Sequence, residues 1–176
     1  ISPMWGSSRP VESKGVISFT VYGNGGNNFT IKTDIGTDPI NLYEWSHIAA
    51  TYDVVSEKLR IYVNGSLVKE VDNQYNFTSL VNNGDLTLGQ NIYSRPNGEI
   101  DQKFNGSMDE VRIWNFAKNA SDIQTYKNTD VTGSAGLAAY YKFMDATGTR
   151  LSDLSGNNAT GTLQNFSFAG NSNWST

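Results

Sequence analysis

The sequence predicts an all-β fold, namely a two-sheet antiparallel β-sandwich of the jelly-roll kind with one short helix. Short apolar runs with a period of two recur along the chain, and Asn-Gly turn signals separate them. Successive side chains of a strand point to opposite faces, so each run would bury one face and leave the other wetter. Regularly spaced short strands of this kind are typical of sandwiches and jelly rolls.

The predicted strands share alternation of apolar with smaller or polar residues. Their apolar positions are Ile17, Phe19 and Val21; Phe29 and Ile31; Ile48, Ala50 and Tyr52; Leu59, Ile61 and Val63; Leu86 and Leu88; Val111 and Ile113; and Tyr141 and Phe143. The segment 63–66, Val-Asn-Gly-Ser, predicts a tight hairpin, because Asn-Gly tolerates the positive φ angles of a type I′ turn. The segment 23–26, Gly-Asn-Gly-Gly, predicts a turn between the first two strands.

Residues 119–127 predict the one helix, of about two turns. Asn119 offers a cap, Asp122 is an acid in the first turn, and Lys127 is a base in the last. Ile123 and Tyr126 share one face, and this narrow apolar stripe predicts a helix that lies on the sandwich.

Composition limits the function classes. The chain has 176 residues, which suits one domain, and it has no cysteine, which excludes disulfides and thiolate metal sites. Its net charge is −4 and only 17% of its residues are charged. Such a chain lacks the excess of basic residues that binding to nucleic acid or to an anionic membrane requires. Its apolar runs are also too short for membrane insertion.

Four segments, taken in this order and spacing, resemble laminin-G-like and pentraxin-like domains of the concanavalin A-like lectin-glucanase superfamily. They are residues 44–53 (EWSHIAATYD), 59–65 (LRIYVNG), 86–90 (LTLGQ) and 104–115 (FNGSMDEVRIWN). The resemblance implies a jelly roll of two antiparallel sheets and a location outside the cell or at its surface. It also implies ligand binding, often to carbohydrate and frequently with calcium.

The resemblance leaves the ends of the sandwich open. We expect residues 1–130 to form the sandwich, without the first strands that such domains usually have. Residues 131–176 either complete it or open a second similar unit, since segments 136–143 and 153–161 resemble the start of such a domain. A separate N-terminal piece of the same precursor, or a divergent N-terminal substitute, are the other ways to supply the missing strands.

Calcium is the cofactor that the resemblance suggests. Hard cations take six to eight oxygen ligands from carboxylates, amides and carbonyls. Asp109 lies where related sandwiches often place a structural calcium ligand, and Asp153 and Asn157 belong to an oxygen-rich loop, with Asp145 near them in sequence. The alternative is that Asp109 caps a turn and pairs with Arg112 or solvent.

The long polar segment 90–103 is the predicted ligand-binding loop. A pyranose stacks its apolar face on an aromatic ring, while amides and arginine read its hydroxyls. Asn91, Tyr93, Arg95 and Glu99 supply these groups. An ordinary surface loop is the alternative. The tryptophans at 45 and 114 lie within strand motifs, so we expect them in the core.

No pattern predicts catalysis. Glycosidases need two acids on one face, about 5–10 Å apart. Asp109 and Glu110 are adjacent and would face opposite sides of a strand, and Glu99 and Asp101 lie in a predicted loop. We therefore expect a non-catalytic extracellular recognition module for polysaccharide or glycoprotein. An adhesive or structural spacer domain is the alternative, and a glycan-degrading enzyme is the third possibility.

Overall fold

A computed structural model describes residues 15–34, 40–41, 43–75, 77, 79–80, 84–89, 104–145 and 147–164. In these ranges the chain forms antiparallel strands and one short helix, as predicted. The strands are β1 (Ser18–Tyr22), β2 (Asn28–Lys32), β3 (Ile48–Asp53), β4 (Lys58–Val63), β5 (Ser66–Asp72), β6 (Val111–Trp114), β7 (Leu137–Tyr141), β8 (Arg150–Leu151) and β9 (Gly161–Thr162). The helix, α1, spans Ala120–Tyr126.

The chain divides into two compact units. The first contains residues 1–105 and 119–127, and the second contains residues 106–118 and 128–176. The strand β7 belongs to the tail that the sequence sets apart after residue 130, and it pairs with β6 inside the second unit. The predicted domain boundary itself stays a prediction.

The first unit contains two antiparallel sheets that share one core. β1 pairs with β2, and β3, β4 and β5 follow one another in the second sheet. Val21 and Ile31 from the first sheet cluster with Leu59 and Ile61 from the second, and Phe77 completes the group. Burying each of these side chains stabilises the fold by about 1.5–3 kcal/mol, so this cluster holds the two sheets together.

The β4–β5 hairpin has the predicted type I′ turn. Asn64 and Gly65 both have positive φ, at 52° and 85°. The Asn64 side chain accepts a hydrogen bond from the His47 backbone N–H at 3.0 Å, and the Asn64 N–H donates to the His47 carbonyl at 2.8 Å. The turn thus also fixes the chain just before β3.

The predicted helix and its cap are confirmed. The Asn119 Oδ1 atom accepts a hydrogen bond from the Asp122 N–H at 2.8 Å, which satisfies one of the first N–H groups of α1. Ile123 is buried, and the Lys127 ammonium donates to the Asn64 carbonyl at 3.0 Å. The helix therefore lies on the β4–β5 turn. At 7 residues, α1 is short, and within the described part of the chain no helix has the length and apolarity that a membrane crossing requires.

The second unit contains two pairs of antiparallel strands, β6–β7 and β8–β9. Ala139 and Tyr141 of β7 cluster with Leu151 of β8 in a small buried core. Val111, Phe143 and Leu163 pack around them and are partly exposed.

Three predictions from the strand patterns are wrong. Residues 84–89 form no strand, and Leu86 and Leu88 remain exposed, because a single pair of alternating leucines gains no buried face there. Trp45 is 69% exposed and lies three residues before the start of β3. The strand β7 also ends before Phe143, which has a φ of 51°.

Gly23 lets the loop after β5 pack against the β1–β2 hairpin. It ends β1 and forms an isolated antiparallel bridge with Leu80, and the Asn24 N–H donates to the Ser79 carbonyl at 3.2 Å. A Cβ atom at Gly23 would lie 2.1 Å from a ring carbon of Phe77, which is itself buried. Glycine is therefore the residue that this contact requires.

Gly23→Ala should destabilise the protein by about 1–3 kcal/mol, because the buried ring has no room to yield to an added methyl group. In a chain of this size that loss lowers the thermal midpoint by about 2–4 °C per kcal/mol. Gly84→Ala is the matched control, since nothing lies within 4 Å of a Cβ there. Equal midpoints for the two variants would contradict the assigned packing.

Candidate functional site

The predicted ligand-binding loop lies outside the described residues. This concerns Asn91, Tyr93, Arg95 and Glu99, and their assignment stays a prediction. The four predicted metal ligands are described, and all of them belong to the second unit.

Asp153 uses both of its carboxylate oxygens to accept hydrogen bonds from the protein. The Oδ1 atom accepts from the N–H groups of Tyr140 and Ser155, each at 2.9 Å. The Oδ2 atom accepts from the Ser155 hydroxyl at 2.8 Å and from the Ala159 N–H at 2.9 Å. This carboxylate therefore holds the loop 153–159 in shape and binds it to β7.

The same loop covers the edge of β7 that β6 leaves unpaired. Asn157 donates from its amide nitrogen to the carbonyls of Leu137 and Ala138, at 2.7 and 3.2 Å. The Leu154 N–H donates to the Tyr140 carbonyl at 2.8 Å. Exposed strand edges are templates for unwanted pairing, so these side chains replace the strand that β7 would otherwise need.

Asp145 and Asp109 each have a separate local role. Both oxygens of Asp145 accept from Ser152, one from its N–H at 3.0 Å and the other from its hydroxyl in a short hydrogen bond. Asp109 is exposed, and its Oδ1 atom accepts from the next N–H in the chain, that of Glu110, at 2.7 Å.

This arrangement does not fit a shared calcium ion. Calcium needs several oxygens that converge with their lone pairs free. Asp145 and Asp153 instead face N–H and O–H donors on both oxygens, and Asn157 turns its NH₂ group to the backbone. No group of three or more acidic or histidine residues that could hold a metal occurs among the residues described. Calcium binding stays a prediction that these contacts do not support.

Hydrogen bonding also sets the ionisation of Asp153. Partial burial by itself raises the pKa of this carboxyl, but the donors from Ser155, Tyr140 and Ala159 stabilise the anion and together outweigh burial. The pKa of Asp153 therefore lies below its ordinary value, and the carboxylate is charged at neutral pH.

Four aromatic rings in the first unit form a continuous group, which we call the aromatic row: Tyr52, Phe77, Tyr75 and Phe29. Tyr52 meets Phe77 edge to face at 6.3 Å, and Phe77 stacks on Tyr75 at 5.9 Å with 7° between the rings. Phe29 meets Tyr75 edge to face at 6.1 Å. These are favourable geometries for aromatic pairs, and they hold each ring in one orientation.

Tyr75 is the most exposed residue of the aromatic row. Phe77 is buried, whereas 49% of Tyr75 is exposed. Asn73 fixes the backbone here, because its Oδ1 atom accepts from the Tyr75 N–H at 3.1 Å and its amide donates to the Tyr52 hydroxyl at 3.1 Å. The result is a rigid ring that is open to solvent.

The surroundings of Tyr75 are rich in side-chain amides. The bridge between Gly23 and Leu80 joins segment 23–30 to segment 73–80. Among the described residues of these segments, the exposed amides are Asn24, Asn27, Asn28 and Gln74. We call the two segments together the amide-rich rim.

The sequence alone does not predict this site. Its signal is the segment 73–77, Asn-Gln-Tyr-Asn-Phe, in which amides alternate with two aromatic residues. The pattern does not show which of the two rings is buried. That depends on Gly23, because its lack of a side chain leaves space for the Phe77 ring.

One pair of acids lies on the same face of a strand, as a glycosidase would require. Glu70 and Asp72 are two residues apart on β5. Lys58 bonds to both of them, at 2.9 and 2.8 Å, and Arg60 bonds to Glu70 at 2.6 Å. The hydrogen bonds from Lys58 and Arg60 hold the pKa of Glu70 below its usual value, which is the opposite of what a general acid needs.

Glu110, the neighbour of Asp109 in the sequence, also makes structural contacts. It accepts a hydrogen bond from the Tyr140 hydroxyl at 2.5 Å and forms a short ion pair with Arg112. Its φ of 55° places it outside a regular strand.

One protein-family model matches more than half of the chain. The model of the concanavalin A-like lectin/glucanases superfamily matches residues 5–124. No curated protein matches the chain.

Two solved structures are similar to the chain. One is a protein from Bacteroides ovatus to which carbohydrate binding is ascribed, at 28% identity and a TM-score of 0.59. The similarity covers 79% of this chain and 40% of that protein, so this chain corresponds to less than half of it. The other is an S-layer domain-containing protein from Clostridium thermocellum, at 18% identity and a TM-score of 0.38, with 71% of this chain and 67% of that one covered.

Asp153→Asn should destabilise the protein by about 1–2 kcal/mol, because the charged acceptor is lost and an NH₂ group is set against N–H donors. Urea unfolding measures this change. A chelator should leave the unfolding midpoint of the wild-type protein unchanged. A midpoint that falls with chelator and recovers with added calcium would contradict the metal-free role of this loop.

The contribution of Asp153 should also depend on pH. Its pKa is lower in the folded chain than in the unfolded chain, where it is about 3.9, so its charge stabilises the fold above about pH 4. The difference in free energy of unfolding between wild type and Asp153→Asn should therefore be constant from about pH 5 to 7 and shrink as pH falls below about 4. Asp53, Glu70 and Asp130 also have lowered pKa values. They titrate in both proteins, so their contributions cancel in the difference between the two free energies of unfolding. A difference that persists unchanged in acid would contradict this account.

Proposed function

Because the chain belongs to the concanavalin A-like lectin/glucanase superfamily, a jelly-roll β-sandwich fold, we propose that it is a non-catalytic carbohydrate-recognition module. The observation that carries the proposal is Tyr75, a residue that is 49% exposed and whose ring stacks on the buried Phe77. Its ligand is a polysaccharide or the glycan of a glycoprotein, and its setting is extracellular.

A fixed, exposed ring is suited to sugars. The apolar face of a pyranose gains free energy by stacking on an aromatic ring, and that gain is larger when the ring loses no freedom on binding. Phe29 and Phe77 already hold Tyr75 from two directions. The amides of Gln74 and Asn28 lie in the same rim, where sugar hydroxyls would need both donors and acceptors.

A structural relative supports the same class of ligand. The similar Bacteroides ovatus protein has carbohydrate binding ascribed to it. This chain spans only 40% of that protein, and a shared fold does not by itself determine the ligand.

The non-catalytic part of the proposal is supported by the acids on β5. A retaining or inverting glycosidase needs one carboxyl of raised pKa and one free carboxylate. Glu70 and Asp72 have the strand spacing for that chemistry, but Lys58 and Arg60 bind them. This face therefore serves as a charged, solvated outer surface of the sheet. A module of this kind would act as an accessory domain of a larger secreted or surface protein.

Tyr75→Ala should weaken binding to a retained polysaccharide by about tenfold, which corresponds to about 1.4 kcal/mol for loss of one stacking ring. Affinity electrophoresis through gels that contain single polysaccharides measures the change. Tyr75→Phe should bind nearly as well as wild type, because it keeps the ring.

Trp45→Ala is the matched control. Trp45 is 69% exposed, but it precedes the start of β3, whereas Tyr52, which contacts Phe77, lies near the end of that strand. The two aromatic side chains are thus at opposite ends of β3, and binding should be unchanged. Loss of binding in Trp45→Ala but not in Tyr75→Ala would place the site elsewhere.

A further inference from the structure

The chemistry around Tyr75 also indicates which carbohydrates it takes, an inference that rests on the proposed function. We infer that the ligand of the amide-rich rim is an uncharged glycan, bound without a metal ion and without ion pairs.

The two segments are joined by backbone contacts. Gly23 bridges Leu80, and the Asn24 N–H donates to the Ser79 carbonyl at 3.2 Å. Phe77 lies against Gly23, and Tyr75 stacks on Phe77. The Tyr75 ring and the turn between β1 and β2 therefore belong to one surface region.

That region is uncharged over a long stretch of sequence. Residues 15–31 and 73–84 contain no Asp, Glu, Lys, Arg or His, although 17% of the whole chain is charged. Immediately before the second stretch, Asp72 is neutralised by Lys58 at 2.8 Å. On β4 and β5, the charged residues Lys58, Arg60, Glu70 and Asp72 pair with one another in one network.

Amides suit hydroxyls better than they suit anions. A carboxamide offers one acceptor oxygen and two N–H donors, which matches a sugar hydroxyl that both donates and accepts. Sulfate and carboxylate groups of acidic polysaccharides call for arginine or lysine, since charge-assisted and bidentate hydrogen bonds give the affinity. The rim supplies amides at Asn24, Asn27, Asn28 and Gln74, and the net charge of −4 disfavours polyanions further.

Calcium-bridged binding of sugar hydroxyls would require carboxylates at the platform. The rim contains none in its sequence. The carboxylates predicted as calcium ligands lie in the second unit, where Asp153 and Asp145 accept hydrogen bonds from protein donors. Recognition at Tyr75 therefore depends on stacking and neutral hydrogen bonds.

The test compares neutral polysaccharides (mixed-linkage glucan, xylan, galactomannan) with anionic ones (polygalacturonate, alginate, heparin) in affinity gels of the full 176-residue chain. We expect retention by at least one neutral polymer. Retention should change less than about twofold between about 0.05 M and about 0.5 M NaCl, because no ion pair is screened. It should be insensitive to a chelator and fall about tenfold in Tyr75→Ala.

A second variant tests the amides. Gln74→Ala removes an exposed amide next to Tyr75 in the sequence, and the loss of one neutral hydrogen bond of about 1 kcal/mol should lower affinity about fivefold. Trp45→Ala again serves as the control that leaves retention unchanged.

The outcomes separate this inference from the proposed function. Tyr75-dependent retention by anionic polymers alone, or retention that salt or a chelator abolishes, would overturn the uncharged, metal-free ligand and leave carbohydrate recognition standing. Retention by none of the polymers would overturn both. Retention of a neutral polymer that survives salt and chelator and depends on Tyr75 confirms both.

Discussion

The first unit depends on the contact between the Phe77 ring and the backbone of Gly23. A side chain at position 23 would occupy the same space as the ring, so the absence of one lets the loop after β5 lie against β1. Phe77 then joins Val21, Ile31, Leu59 and Ile61 in the core that both sheets share. Because the loop is anchored at Phe77, the residue two positions earlier, Tyr75, stays at the surface with its ring in a fixed orientation.

The second unit closes its sheet by a different means. β7 has β6 on one side, and on the other side a loop satisfies its polar groups through side chains. The Asp153 carboxylate accepts the Tyr140 N–H, while the amide of Asn157 and the hydroxyl of Ser155 reach the Ala138 carbonyl. Neutral and anionic side chains thus supply the donors and acceptors that a neighbouring strand would supply, and they use up the oxygens that would otherwise be free for a cation.

What the sequence predicted well is what depends on neighbouring residues alone. The type I′ turn follows from Asn64-Gly65, and the start of α1 follows from Asn119, because turn and cap energies act within a few residues. Alternation gave the strands from Ser18 to Val63. Alternation failed for Leu86, and the strand motif failed for Trp45, since burial depends on what packs against a side chain from elsewhere in the chain.

The candidate site was beyond such reasoning for the same reason. Asp153 is separated by 13 residues from the Tyr140 N–H that it accepts, so its oxygen-rich loop looked like a metal site in sequence. The orientation of the Tyr75 ring depends on Phe29, which is far from it in the chain, and on the space at Gly23 that Phe77 occupies. Stacking on a fixed ring favours any sugar with an apolar face, so it sets affinity more than choice of sugar. In the site that we propose, choice among sugars would fall to the hydrogen bonds of the rim amides, because a hydroxyl of the wrong configuration would leave a donor or an acceptor unpaired.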